Sequence, residues 1–149
     1  MDIVICSTLG NTKVGLYDSD TLISELELEG KVSDTLPSIF GKLNNENINN
    51  IYFAKGPGSF MAIKLTYVFL KTISIIKKIN LFAVDSFYFN QNSPIKAIGN
   101  SYFVKDENEI KLQVIECSDT NNIELPQKLI KSDFSNDISP LYIIPAVGI

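Results

Sequence analysis

The residues of this sequence with the clearest chemical potential form a glycine-rich turn, Gly56-Pro57-Gly58-Ser59. A turn of this kind that leads into a helix can hold a phosphate group with its backbone N–H groups. The spacing matches neither a P-loop, which needs Gly-Lys-Ser/Thr after four intervening residues, nor the dinucleotide-binding pattern GxGxxG. Pro57 also has no backbone N–H to donate. The residues alone leave two interpretations open: a phosphate-binding loop, or a tight turn that joins a strand to a helix.

The chain contains no histidine. This absence excludes Ser/His and Cys/His nucleophilic pairs and an imidazole general base. With only two cysteines, Cys6 and Cys117, it also argues against a structural zinc site. Cys6 lies in an apolar run, where we expect it to pack as a small hydrophobic side chain. Carboxylate chemistry with magnesium stays open, but Asp2 and Asp18 are poorly placed for it. We therefore expect no catalytic residue and no metal site.

Size and charge narrow the class of protein further. The 149 residues, 45% of them hydrophobic, suit one domain or two small lobes around a real core. A net charge of −4 argues against a basic nucleic-acid surface. The first residues are too few and too acidic for a signal peptide, and no apolar run reaches the ~20 residues that span a bilayer. We expect a cytoplasmic protein without a membrane role.

The elements that position the loop follow from the hydrophobic periodicity. Three strands with tight turns between them predict an antiparallel meander, and glutamates at every second position leave the third strand half exposed. Ser33 is expected to cap a first helix, with Pro37 in its first turn, and Ser59 to cap a second. The expected order is strand, strand, strand, helix, strand, helix, strand, over 2–7, 14–17, 22–28, 33–43, 51–54, 60–78 and 80–84.

The second half of the chain is less regular. A hairpin is expected from residues 102–104 and 110–116, with the turn at Asp106-Glu107-Asn108. Residues 118–139 are polar and weakly patterned, and 141–144 could form a last strand. We accordingly divide the chain into an amino-terminal lobe, 1–85, and a shortened carboxy-terminal lobe, 86–149.

The helix after the loop has two apolar faces. At about 100° per residue, one side is expected to pack on the sheet through Ala62, Leu65, Thr66, Phe69, Leu70, Ile73 and Ile76. The opposite side has Lys64 and Lys71 at its centre, surrounded by Phe60, Met61, Tyr67, Val68 and Ile75. Large apolar side chains on a solvent face indicate a partner surface. The alternatives are that lysine stems or the second lobe of the same chain cover this face.

Three segments resemble the TsaB (YeaZ) family. Residues 54–64, Ala-Lys-Gly-Pro-Gly-Ser-Phe-Met-Ala-Ile-Lys, are similar to its GPGSFTGLR segment. Residues 3–8, followed by 14–18, resemble its opening IDTS hairpin, and residues 32–39 resemble its HSELLLP helix start. The spacing among the three segments fits as well. The resemblance spans roughly residues 1–85 and fades afterwards.

This resemblance implies an α/β fold of the actin/Hsp70/sugar-kinase type (ASKHA, ribonuclease H-like), a mixed sheet with flanking helices and a reduced second lobe. It implies a non-catalytic scaffold in threonylcarbamoyladenosine (t6A) biosynthesis on tRNA. Its partners would be a TsaD-like catalytic subunit and a TsaE-like ATPase, with a homodimer in isolation and tRNA contacted only through the complex. No cofactor is implied beyond ATP at a partner interface. The partner surface would comprise Phe60, Met61, Lys64, Tyr67, Val68, Lys71 and Ile75.

The sequence departs from the family pattern at informative positions. Cys6 replaces an early Asp, Val32 replaces a His, and residues 61–64 replace Thr-Gly-Leu-Arg. Lys64 keeps a positive charge but lacks the planar fork of Arg. These changes weaken nucleotide chemistry and leave the helix contacts untouched. The metal-binding histidines of the catalytic paralogue have no counterpart, so the older glycoprotease label finds no support.

Two other functions remain as alternatives. One is a small ATP-binding phosphotransferase or ATPase of the same fold, using the turn at 8–12 and the loop at 56–60. The other is a self-associating protein without a role in tRNA modification.

Overall fold

Strands and helices alternate in the first half of the chain, and a small second sheet follows. A computed structural model describes residues 1–44, 46–116 and 122–143. Its elements are β1 (Asp2–Leu9), β2 (Asn11–Asp18), β3 (Thr21–Leu28), α1 (Val32–Lys42), β4 (Asn50–Ala54), α2 (Phe60–Lys77), β5 (Asn80–Val84), β6 (Ile95–Lys96), β7 (Ser101–Asp106) and β8 (Glu109–Val114), with 3-10 turns at Ser86–Phe89 and Lys131–Asp133. None of the described helices is long and apolar enough to cross a membrane.

The larger sheet has five strands in the order β3-β2-β1-β4-β5. The first three strands form the predicted antiparallel meander, whereas β4 runs parallel to β1 and β5 parallel to β4. Parallel neighbours cannot be joined by a tight turn, so each of the two parallel pairs needs a crossover. Helices α1 and α2 supply the crossovers. The predicted mixed α/β fold is confirmed.

Strand β1 supports a core on each face of this sheet. Successive side chains of a strand point to opposite faces, and Ile3 to Cys6 are all fully buried. Ile3 and Ile5 belong to the core that the two helices cover, together with Leu36 and Leu70. Val4 and Cys6 belong to a second core on the other face. The apolar run in β1 therefore reflects a strand buried from both sides.

The second core is completed by the second half of the chain. Its buried members include Phe87, Phe103, Ile123, Leu129 and Phe134. Strands β6, β7 and β8 form a three-stranded antiparallel sheet, and β7 and β8 confirm the predicted hairpin. Residues of both halves share this core. The division into units 1–85 and 86–149 stays a prediction.

Residues 122–143 also bind the large sheet by hydrogen bonds. The Tyr17 hydroxyl donates to the Pro126 carbonyl oxygen at 2.6 Å, and the backbones of Ala83 and Ser135 exchange two bonds of 2.8 Å. The polar, weakly patterned stretch thus covers the sheet. No strand forms over 141–143, although the Leu141 N–H donates to the Lys55 oxygen at 2.8 Å. Ile144, the end of the expected strand, lies outside the described residues.

The start of α1 differs from the prediction. Lys31, not Ser33, occupies the N-cap position, and its carbonyl oxygen accepts bonds from the Asp34 and Thr35 N–H groups. Burial of Val32 explains the earlier start, because a helical Val32 reaches the core beneath α1. Pro37 is consequently the sixth residue of the helix and does not lie in its first turn. There it leaves the Ser33 carbonyl without its usual intrahelical donor.

The glycine loop lies where the three parallel strands end. The Gly56 oxygen accepts from the Ser86 N–H at 2.7 Å, and the Lys55 N–H donates to the Val84 oxygen at 3.0 Å. The Gly56–Pro57 peptide bond is cis. A Cβ added at Gly58 would overlap the carbonyl oxygen of Thr8 at the end of β1. Gly58 thus permits a close approach of two backbones that no other residue allows.

We expect Gly58→Ala to destabilise the protein by about 2 kcal/mol or more, because a backbone atom of β1 would have to shift. Chemical denaturation followed by circular dichroism measures the change. Gly41→Ala is the matched control, since no atom lies within 4 Å of the added Cβ in α1. That control is expected to be neutral or stabilising by about 0.5–1 kcal/mol. Equal effects at both positions would contradict the packing role of Gly58.

We expect Leu70→Ala to cost about 2–5 kcal/mol, because Leu70 is fully buried between α2 and the sheet and its loss leaves a cavity. The same denaturation measurement applies. Ile75→Ala on the opposite side of α2, where Ile75 is 69% exposed, should change stability by less than about 0.5 kcal/mol. A similar loss for both variants would mean that α2 is buried on both sides.

Candidate partner surface on α2 and the glycine loop

Five hydroxyl groups around the glycine loop form internal hydrogen bonds. Ser59 Oγ accepts from the Ala62 N–H at 3.5 Å, which confirms Ser59 as the N-cap of α2. Ser7 Oγ and Thr66 Oγ1 share a bond of 2.7 Å, and Thr8 Oγ1 and Ser86 Oγ share one of 2.6 Å. These bonds tie the loop, β1 and α2 together. They indicate a structural use for the hydroxyls at this sheet edge.

Cys6 behaves as an apolar core residue, as predicted. It is fully buried, and burial raises the pKa of its thiol to about 12. A thiol with so high a pKa stays protonated at neutral pH, whereas nucleophiles and metal ligands are thiolates. Cys6, which the resemblance aligns with an early Asp, is therefore a neutral side chain in the core. Cys117 lies outside the described residues.

The two carboxylates considered for metal binding lie away from the loop. Asp2 begins β1 and Asp18 ends β2. Both therefore lie at the ends of the strands that are far from Gly56. Asp2 Oδ1 accepts from Asn50 Nδ2 at 2.9 Å. Within the described ranges, no group of three Asp, Glu, His or Cys side chains is arranged to hold a metal ion.

A third carboxylate, Asp85, was missed by the sequence reasoning. It follows β5 at the same edge as the glycine loop, next to Ser86. Asp85 Oδ2 accepts from Lys105 Nζ at 2.6 Å, which links β5 to strand β7 of the small sheet. Its Oδ1 is buried and has no hydrogen-bond partner among the described residues. Asp85 directly follows β5, which runs parallel to β4. That position at the end of a strand was the sequence feature that could have identified it.

A cavity of about 640 Å³ separates the loop and the start of α2 from the small sheet. Ile63, Phe103, Leu112, Leu141 and Ile143 are among the residues that line it. Most of this lining is apolar, but Lys96 and the loop residues Gly58 and Ser59 line the cavity as well. Cations and backbone N–H groups are the groups that hold phosphate. The residues that line the cavity therefore leave both interpretations of the loop open.

The inner side of α2 agrees with the prediction in most positions. Thr66 and Leu70 are buried, and Ala62, Leu65, Phe69 and Ile73 pack against the core beneath the helices. Ile76 was expected there but is 70% exposed. The helix ends at Lys78, whose backbone is in the left-handed conformation. The buried side chain of Ile79 therefore packs in the core instead of Ile76. Ile63 was missed and is buried beside Gly56.

The outer side of α2 carries large apolar side chains in solvent. Phe60, Met61 and Val68 are 61%, 55% and 52% exposed, and Ile75 is more exposed still. Lys64 and Lys71 are exposed between them, whereas Tyr67 is half-buried. The Phe60 ring contacts Tyr142 with the ring centroids 4.8 Å apart. We call the seven predicted residues, Phe60, Met61, Lys64, Tyr67, Val68, Lys71 and Ile75, the α2 face.

The α2 face continues into a groove between the two helices. This groove has a volume of about 240 Å³ and is lined from α1 by Val32, Ser33, Leu36 and Pro37, and from α2 by Leu65, Val68, Phe69, Thr72 and Ile73. The contribution of α1 was missed at the level of residues. Its signal was the spacing of Val32, Leu36 and Pro37, which places apolar groups on one side of a helix that begins at 32.

Comparison with known proteins identifies solved structures with a similar fold. No protein-family model matches the chain, and no curated protein matches it. Among solved structures, YeaZ from Pseudomonas aeruginosa is similar, with a TM-score of 0.58 and 13% identity over 75% of this chain and 63% of that one. An uncharacterized protein with similarity to peptidase YEAZ from Pseudomonas aeruginosa has a TM-score of 0.53 and 12% identity, over 75% and 62%.

These likenesses bear on the fold alone, because the identities are low. The chain spans less than two thirds of the length of either neighbour. The finer assignment to the actin/Hsp70/sugar-kinase folds stays a prediction. The described part of the chain, with its five-stranded mixed sheet and two crossover helices, has a YeaZ-like α/β fold.

Proposed function

We propose that this protein is a non-catalytic scaffold subunit that binds a TsaD-like catalytic subunit and supports t6A modification of tRNA in the cytoplasm. The observation that carries the proposal is the α2 face, exposed and apolar, on a chain with a YeaZ-like fold. A TsaE-like ATPase would join the pair, and tRNA would be contacted through the complex. Under this proposal the chain itself supplies no catalytic group.

The energetics of the α2 face support a binding role. Burial of apolar surface contributes roughly 25 cal/mol per Å², and four large apolar side chains of this face are more than half exposed. Exposed apolar residues concentrated on one helix differ from the single ones scattered over any surface. The groove beside α1 adds a concave feature into which a partner side chain fits.

The glycine loop supports the same proposal, because the groups considered there for chemistry have structural roles. Its glycines allow the close approach to β1, its serine caps α2, and the thiol at the early acidic position is neutral. The loop therefore determines where α2 begins and its angle to the sheet. This use requires no nucleotide.

The phosphotransferase alternative can be tested directly by isothermal titration with ATP and magnesium. The engagement of Asp85 by Lys105 gives it no support. We expect no binding heat at up to millimolar ATP. Saturable binding that Ser59→Ala or Asp85→Asn abolishes would replace the scaffold proposal with an enzymatic one.

The scaffold proposal is tested by co-purification with the TsaD-like protein of the same cell, combined with analysis of tRNA nucleosides after depletion of this chain. We expect a stable complex in the first experiment and a loss of t6A in the second. Absence of the complex together with an unchanged t6A content of the tRNA would contradict the proposal.

We expect Val68→Asp to weaken binding of the TsaD-like protein at least ~30-fold, about 2 kcal/mol, because it places a carboxylate at the centre of an apolar contact. Surface plasmon resonance measures the affinity. The fold should persist, since Val68 is half exposed. Val114→Asp, the same change at an exposed end of β8, is the matched control and should bind like the wild type. If Val68→Asp unfolds the chain instead, the α2 face belongs to the core.

A further inference from the structure

The cavity between the glycine loop and the small sheet has no part in the proposed function. Three parts of the chain that are distant in sequence surround its volume of about 640 Å³: the loop with the first turn of α2, the small sheet with the turn that joins β6 to β7, and residues 141–143. Cavities that hold small organic ligands have volumes of about 300–1,000 Å³. This cavity therefore has the size of a ligand site.

The inner part of the cavity is apolar. Its buried and half-buried lining includes the side chains of Pro57, Ile63, Ala97, Phe103, Leu112, Leu141 and Ile143. Phe103 lies opposite Leu112 in the register of β7 and β8, so both side chains project from the same face of the small sheet. A hydrocarbon group that fills this space removes apolar surface from water on both sides of the contact, which is favourable. The interior therefore suits the apolar body of a ligand.

The mouth of the cavity differs from its interior. The lining residues that are exposed to solvent are Ser59, Phe60, Lys96 and Ile98. Among the described residues that line the cavity, Lys96 alone carries a formal charge. A lysine side chain has a flexible four-carbon stem and an ammonium group with three N–H donors, so it can bond a ligand oxygen in addition to contacts within the chain. The mouth therefore offers a positive charge to a ligand whose body lies inside.

The charge at the mouth favours a ligand with one negative charge. A carboxylate carries a single negative charge at neutral pH, which one lysine balances. A phosphate monoester carries about −1.5 to −2 charges, and a nucleoside triphosphate carries more. Either would need further cations, and the described lining of the cavity has no second cationic side chain. An apolar molecule with one carboxylate is thus the best match in both shape and charge.

We propose that this cavity is a binding site for a small monocarboxylic acid with a hydrocarbon body. The hydrocarbon packs against Ile63, Phe103 and Leu112, and the carboxylate lies at the mouth within reach of the Lys96 ammonium group. This site is separate from the outward side of α2 that the proposed function assigns to a partner protein. The inference does not depend on that function, because ligand binding needs only this chain.

The first test is isothermal titration calorimetry of the full chain with octanoate and with octanol, which has the same hydrocarbon chain and no charge. We expect octanoate to saturate one site with a dissociation constant below about 1 mM. Lys96→Gln should weaken binding of octanoate about 3-fold or more and leave binding of octanol unchanged. Lys111→Gln on β8, outside the lining of the cavity, is the matched control and should bind octanoate like the wild type. Absence of saturable octanoate binding, or a Lys96→Gln variant that treats both ligands like the wild type, would overturn the proposal.

The second test locates the ligand by fluorescence. The chain contains no tryptophan, so Ile98→Trp introduces a single indole at the mouth, where Ile98 is 85% exposed and its replacement should leave the fold intact. We expect octanoate to shift the emission of this variant along the saturation curve measured by calorimetry. Val114→Trp, at a similarly exposed position outside the lining of the cavity, should not respond. A response of both variants, which indicates adsorption over the whole surface, or of neither variant contradicts the proposed site.

Discussion

Burial of β1 on both faces is the constraint on which the rest of this structure depends. A strand with apolar side chains in both directions must be covered twice, and its pairing with β4 and then β5 is parallel. Both crossovers are helices on one face, and the 122–143 segment and the small sheet cover the other. Parallel pairing also brings the ends of β1, β4 and β5 to one edge. The glycine loop lies at that edge because of this arrangement.

The loop then determines where α2 lies. Close contact between Gly58 and the Thr8 carbonyl holds the loop against β1, and the Ser59 cap and the Ser7–Thr66 bond hold the first turns of the helix. Leu70 and its neighbours anchor the inner side. With the helix position settled by these contacts, Phe60, Met61, Val68 and Ile75 have no place in the core. The exposed apolar surface is a consequence of the same contacts that stabilise the fold.

Apolar surface and positive charge on this helix act together. The apolar groups favour any contact that excludes water, whereas Lys64 and Lys71 restrict which surface can make it. Lys64 and Lys71 place two exposed positive charges at the centre of this apolar surface.

The sequence by itself determined the local structure: the meander, the bounds of β5, the β7–β8 hairpin, the Ser59 cap and the outward direction of Phe60, Met61, Val68 and Ile75. These features follow from periodicity and capping, which act within a few residues. The tertiary structure alone decided the groove with α1, the Asp85–Lys105 ion pair, the exposure of Ile76 and the packing of residues 122–143 on the sheet. Each depends on contacts between residues far apart in the chain, for which a single sequence carries no local signal.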